Sequence, residues 1–302
     1  MTASPFNQWA EDRRERFSIF AERKLPSVED IPQRLHEAMR YAVLDGGKRV
    51  RPLLVYAAAE LTGARDADAD LAALAVECVH SYSLIHDDMP CMDNDLMRHG
   101  KPSVHAKYGE AWAMLAGDAL QPEAFLFLTE LSIPNDQKIQ VMRQLAYASS
   151  TRGMCGGQAI DLDSVGKKLS YKELREMHVR KTGALLEASV LMGAYLGRKE
   201  FLTDSLLSSV STYGKAIGLA FQVVDDILDA TADSAVLGKT AGKDLKDDKP
   251  TYVTSLGLDE ARRMAKELHD QAVQAIEGLS EIENNKSYRL IEIADYIIRR
   301  SY

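Results

Sequence analysis

The chain has few of the residues that usually mark a fold. It carries three cysteines, two tryptophans and nine prolines among 302 residues. Cys78, Cys91 and Cys155 show no C-x-x-C spacing, which excludes a disulfide framework and points to a reducing compartment. No apolar run approaches the ~20 residues of a membrane span. The first residues mix acids and bases from Glu11 onward and lack the apolar stretch of a secretory signal. No long basic block occurs, and 37 Lys and Arg against 45 Asp and Glu give a formal charge of −8, so no nucleic-acid partner is expected. There is no Asn-Gly between alternating apolar residues to signal a hairpin, no low-complexity tract and no linker. These absences leave a soluble, cytoplasmic protein without membrane insertion.

What remains is helical pattern. Hydrophobic residues make up 46% of the chain, enough for a large core. Phe6, Trp9, Arg13, Phe17 and Phe20 recur at three- and four-residue steps and predict an amphipathic first helix. Further helices are expected over 35–44, from Pro52 to Leu61, over 71–88, over 111–131 and over 211–230, with helix again from Leu258. Residues 66–70 read as a turn, 89–104 as irregular and 238–252 as a charged loop. Ser170 and Glu173 form a capping-box pattern for a helix that carries Lys181, Thr182 and Gly183 in its middle. The fold class is all-α, as a single domain over 1–302.

Two acid clusters stand out. Asp87, Asp88, Asp93, Asn94 and Asp95 crowd the end of the 71–88 helix, and like charges this close repel unless a cation neutralises them. Hard carboxylate oxygens suit Mg2+, which usually takes one or two carboxylates plus substrate phosphates. Gln222, Asp225, Asp226 and Asp229 repeat the theme at i, i+3, i+4 and i+7, one face of an otherwise apolar helix. A solvated acidic stripe is the plainer alternative, but this helix leaves its polar face few places to go except a cavity. His80, Ser83 and Asp87 share a face of the first helix, whereas Asp93 would leave that face unless Pro90 bends the chain. Gly46-Gly47-Lys48-Arg49-Val50-Arg51-Pro52 is a basic, glycine-rich helix entry suited to an anion. Lys181, in an Ala- and Gly-rich helix, needs an anionic partner.

Seven segments in order resemble the short-chain trans-isoprenyl diphosphate synthases, the bacterial farnesyl diphosphate synthases most closely. They are GGKRVRP (46–52), DDMPCMD (87–93), GMCGGQAIDL (153–162), KTGAL (181–185), FQVVDDILD (221–229), GKTAGKD (238–244) and KPTY (249–252). The resemblance implies an orthogonal antiparallel helix bundle around a deep cavity, usually as a homodimer. It assigns Asp87, Asp88, Asp93, Asp225, Asp229 and Asp244 to Mg2+, and Lys48, Arg51 and His80 to the diphosphate of isopentenyl diphosphate. Arg98, Lys181 and Lys239 would hold the allylic diphosphate, and Lys249 also falls on the substrate side. Thr182 and Gln222 would line the place where positive charge develops. The implied reaction condenses isopentenyl diphosphate with dimethylallyl or geranyl diphosphate to farnesyl diphosphate, with the geranyl or geranylgeranyl product as the alternative.

One departure is His99, where the family usually has a second arginine before Gly100. A mostly neutral imidazole has no donor fork, so weaker or more pH-dependent isopentenyl binding is expected. Tyr82 and Ser83, ~7.5 Å and ~6 Å back along the helix from Asp87, resemble the farnesyl pattern for the floor of the product channel. Rival readings fit less well. A terpene cyclase would normally carry an Asn/Ser/Glu triad in place of DDILD, a regulatory subunit would tend to lose the acid motifs, and a di-iron bundle needs two Glu-x-x-His pairs where only Glu77 to His80 fits.

Overall fold

The computed structural model describes residues 5–44, 46–167, 169–231, 251–279 and 286–299. Helices α1 (Pro5–Lys24), α2 (Gln33–Leu44) and α3 (Val50–Leu61) lead into the long α4 (Asp66–Asp87). Strands β1 (Met97–Arg98) and β2 (Lys101–Pro102) pair antiparallel and are followed by α5 (Val104–Tyr108), α6 (Glu110–Thr129), α7 (Asn135–Ser149) and α8 (Met154–Asp163). Then α9 (Tyr171–His178) passes through a π-helical turn at Val179–Gly183 into α10 (Ala184–Tyr195). The long α11 (Asp204–Thr231), α12 (Tyr252–Leu256), α13 (Leu258–Glu277) and α14 (Tyr288–Arg299) complete the described order. The all-α expectation holds.

Burial explains the arrangement. In α3 every residue except Arg51 and Glu60 is buried, and in α4 every residue from Asp68 to Val79 is. A helix apolar all round belongs in the centre. Accordingly α3 packs on α4 and α10, α10 packs on α11 and α7, and α6 and α13 close over α4 and α11. The outer helices are amphipathic: α1 buries Phe6, Trp9 and Phe17 and sends Trp9 Nε1 to Glu60 Oε1 at 2.8 Å. Where α11 crosses the π-helical turn, Gly218 meets Gly183 so closely that an added Cβ would stand 2.7 Å from the Gly183 Cα. Glycine at 218 lets the two backbones touch, whereas a Cβ on Gly183 would meet nothing closer than 3.6 Å.

Three local expectations are corrected. Residues 66–70 are the first turn of α4 rather than a loop, because their acids suit a helix N-terminus and find partners. Asp70 accepts from Arg16 at 2.7 Å and from the Tyr56 hydroxyl at 2.8 Å, and Asp68 accepts from the Ser132 amide at 2.6 Å. A hairpin does exist, its two-residue turn built from His99 (φ 51) and Gly100 (φ 79). Positive φ at both positions is the type I′ pattern, which histidine tolerates less readily than asparagine and so does not advertise. Finally, Lys181 and Thr182 sit in a π-helical turn, not mid-α-helix. The Ser170 capping box is present as expected, with Ser170 N–H donating to Glu173 Oε2 at 2.8 Å.

His178, at the end of α9, is 6% exposed and packs on Tyr252 with ring centroids 5.1 Å apart. Burial pushes its pKa down to about 4, with Asp161 opposing and Lys181 assisting. The unfolded chain binds this proton near the ordinary value of ~6.5 and the folded chain only near 4. Stability supported by the neutral ring is therefore present above ~6.5 and is lost as pH falls toward 4. Replacing His178 with Leu should remove up to about 3 kcal/mol of the acid-side loss. Urea unfolding from pH 7 to pH 4 reads this out, and identical acid limbs in both proteins would count against it.

Candidate active site

The carboxylates at the end of α4 are gathered by backbone bonds. α4 stops at Asp87, and the following segment turns back so that Asp93 N–H donates to Asp87 O at 2.8 Å and Asp95 N–H to Asp88 O at 3.1 Å. These amides satisfy carbonyls that a helix end leaves open, and they return Asp93 to the side of Asp87. Burial pushes the Asp87 carboxyl up to about 6; Lys181 and Arg98 oppose that rise, while Asp93 and Asp88 add to it. Asp88 is buried and turned to Arg98, whose Nε lies 3.1 Å and 3.2 Å from its two oxygens. Arg98 also lies 3.8 Å from Asp95.

On the opposite side, α11 presents Gln222 and Asp225 at half-buried positions, with Asp226 and Asp229 buried. The shared face predicted from spacing divides into different environments. Asp225 lines the main cavity, while Asp226 accepts from Gln222 Nε2 at 3.0 Å and from the Tyr252 backbone N–H at 2.8 Å. The Gly183–Gly218 contact brings the π-helical turn against α11, and Thr182 Oγ1 donates to Gln222 Oε1 at 3.2 Å. Lys181 Nζ reaches Asp161 Oδ2 on α8 at 2.6 Å. The anionic partner required by Lys181 is thus in part a protein group, which sequence reasoning missed; Asp161 lies inside the GMCGGQAIDL segment, but nothing in the spacing singled it out.

A cavity of about 620 Å3 lies beside these groups, lined by the segment from Gly46 to Arg51, the hairpin, α4 and α11; Asp225 borders it, while Asp87, Asp93, Lys181, Thr182 and Gln222 are not on its lining. Lys48, Arg51, His80, Arg98, His99 and Asp225 all border it. Arg49, in the left-handed region at φ 52, also borders it, in a buried pair with Glu77 at 2.6 Å and with a bond to Val43 O at 2.7 Å, which anchors this segment. Burial lowers the Arg51 pKa, with Glu77 and Asp225 countering, and its Nε is a buried donor with no hydrogen-bond partner among the described residues. Burial also holds His80 well below the usual histidine value, helped by Arg51, His99, Arg98 and Arg49. The His99 ring faces Gly47 across the rim, 3.5 Å from where a Cβ would stand. A cavity this cationic, with a donor left over, is suited to a polyanion.

Below Asp87, Tyr82 is 4% exposed, set edge-on to His86 with centroids 5.8 Å apart and next to Cys155 of α8. Ser83 Oγ donates to His80 O at 2.7 Å. Lys239, Asp244 and Lys249 lie outside the described residues. Among the described residues, no three ligating side chains form a closed metal cage. Asp87 and Asp93 instead offer adjacent hard oxygens, one of them with a raised pKa, an arrangement that fits an Mg2+ ion completing its shell with phosphate oxygens.

Comparison with known proteins agrees with this geometry. Residues 32–288 match the Polyprenyl synthetase family. Farnesyl diphosphate synthase of Escherichia coli is 47% identical over 272 residues, covering 88% of this chain and 89% of that protein. The chloroplastic geranylgeranyl pyrophosphate synthase of Capsicum annuum is 44% identical over 99% of this chain and 80% of its own length. A Helicobacter pylori geranyltransferase, solved in complex with magnesium and isoprenyl diphosphate, superposes with a TM-score of 0.87 at 31% identity, covering 99% of both chains. A basic cavity walled by two aspartate-bearing helices and a match across most of the sequence lead to one conclusion: the chain belongs to the polyprenyl synthetase family.

Proposed function

We propose that the chain is a Mg2+-dependent prenyltransferase of the farnesyl diphosphate synthase type. It condenses isopentenyl diphosphate with dimethylallyl or geranyl diphosphate, giving trans-farnesyl diphosphate and pyrophosphate. The observation that carries this reading is the single cavity bordered by Lys48, Arg51, His80, Arg98 and His99 together with Asp225. Mg2+ held by Asp87, Asp93, Asp225 and Asp229 would neutralise charge on the departing pyrophosphate. Lys181 and Arg98, both within electrostatic reach of Asp87, hold the allylic diphosphate. Lys48, Arg51, His80 and His99 hold isopentenyl diphosphate, aligning its double bond with the allylic C1.

As the C1–O bond breaks, its electron pair leaves with pyrophosphate and the isopentenyl double bond attacks C1. The new tertiary cation then loses a proton to pyrophosphate, so no protein base is required. Thr182 and Gln222 supply oxygen dipoles near the developing charge, and the enclosed site keeps water from capturing it. The reading treats residues 1–302 as one catalytic domain, in keeping with a main apolar core drawn from Phe6 to Ile297 and a second cluster, both of which α11 enters. The geranylgeranyl alternative draws support from the 44% identity to the Capsicum annuum enzyme.

Two further parts concern assembly and location. Met114, Leu115, Leu126, Ile139 and Tyr147 are exposed on α6 and α7, an apolar surface suited to a second copy of the chain. Free cysteines fit a cytoplasmic enzyme. Sedimentation of the purified chain should give a dimer, and cell fractionation should recover it in the cytosol; a monomer or a membrane pellet would remove the corresponding part.

The deciding assay incubates the protein with isopentenyl diphosphate, Mg2+ and either primer, and sizes the alcohols after dephosphorylation. A dominant C15 product from both primers is expected, with Tyr82→Ala giving longer products and Ser83→Phe shorter ones. A C10 or C20 product would keep the reaction and overturn the Tyr82 floor; no elongation would overturn the reaction. In the same assay His99→Arg, which supplies a fixed charge and a donor fork, should lower the KM for isopentenyl diphosphate. An unchanged KM would dispose of the idea.

A further inference from the structure

We infer that Asp226 is a positioning residue that sets which end of the Gln222 amide faces the reaction. The inference rests on the prenyl-transfer reading above. An amide has a donor end and an acceptor end, and its neighbours decide which way each points. Asp226 takes N–H donors on both oxygens: Gln222 Nε2 at 3.0 Å on Oδ1 and the Tyr252 backbone N–H at 2.8 Å on Oδ2. The backbone N–H cannot be turned into an acceptor. It therefore anchors Asp226 as an acceptor, and Asp226 in turn draws in the NH2 end of Gln222.

The consequence runs one residue further. With its nitrogen committed, Gln222 leaves Oε1 outward, and that oxygen accepts the Thr182 hydroxyl at 3.2 Å. Both donated protons in the series, from Thr182 to Gln222 and from Gln222 to Asp226, run toward Asp226. Lone pairs are left on the far side, at two half-buried residues, of which Gln222 follows the cavity-lining Phe221 on α11. Electron-rich groups fixed in place before charge develops stabilise an allylic cation without reorganising. Asp226 acts from behind, through Gln222, while its neighbour Asp225 borders the cavity. The spacing that puts both aspartates on one helix face conceals this division.

Asp226→Asn tests the idea because the change is nearly isosteric. The Tyr252 N–H will keep the asparagine oxygen, so the new NH2 faces Gln222 and the glutamine must flip its own NH2 outward. The condensation rate in single turnover should fall, by no more than the roughly 100- to 1,000-fold that outright loss of one charge-stabilising group costs. KM for both diphosphates, the half-saturating Mg2+ concentration and the melting temperature should stay near wild type. Gln222→Glu alone should also lose rate, since two carboxylates would then face each other. Combining the two changes restores a donor–acceptor pair with an oxygen outward, and the double variant should outpace either single one.

If Asp226→Asn fails to fold, comparing Gln222→Glu with the double variant still decides the matter. A double variant no faster than the single ones overturns the inference, as does a higher Mg2+ requirement in Asp226→Asn, which would make Asp226 a metal ligand. Absence of elongation by the wild-type protein would instead overturn the underlying reading.

Discussion

Buried like charge at the ends of packed helices is the constraint on which this structure turns. α4 is packed on all sides for three turns and then delivers Asp87, Asp88 and Asp93 to one place. Burial raises the Asp87 pKa even with Lys181 and Arg98 nearby. Back along α4 at His80, and on α3 at Arg51, the problem has the opposite sign, because burial lowers both pKa values. Neither set is at ease alone. A ligand that brings metal cations to the carboxylates and phosphate oxygens to the basic groups relieves both, so the two sets favour the pair together over either one.

The arrangement also explains why the protein spends so much of its sequence on anchoring. Arg49 is buried with Glu77 and shapes the loop that carries Lys48 and Arg51. Asp88 holds Arg98 at the foot of the hairpin, and Asp161 holds Lys181. These cations are set by carboxylates beside or behind them, which limits how far each can swing.

The large elements were legible in the sequence because apolar periodicity in α1, α4 and α11 is long and unbroken. The metal-type carboxylates and the basic loop were legible because clustered charge beside an apolar run is costly to a fold unless a counter-charge binds it. What was not legible depends on partners distant in the chain. Residues 66–70 look like a turn until Arg16, Tyr56 and Ser132 supply their hydrogen bonds. His99-Gly100 lacks the asparagine that usually announces a type I′ turn. Spacing put Gln222, Asp225, Asp226 and Asp229 on one face but could not separate a cavity wall from a hydrogen-bond anchor, since that depends on where Tyr252 lies.

The π-helical turn at Val179–Gly183 works as a phase shifter. A π turn is equivalent to one residue inserted into an α-helix, so the helix emerges rotated by about 100°. α9 can then keep Leu174 and Met177 toward the cluster formed with α12 and α13, while α10 keeps Leu185, Leu186 and Met192 toward the main core. Two apolar stripes that would fall out of step on a continuous helix are both satisfied. The out-of-step residues between them, Lys181 and Thr182, turn to Asp161 on α8 and Gln222 on α11. Deleting a single residue from this turn would make a more regular helix and a misaimed site.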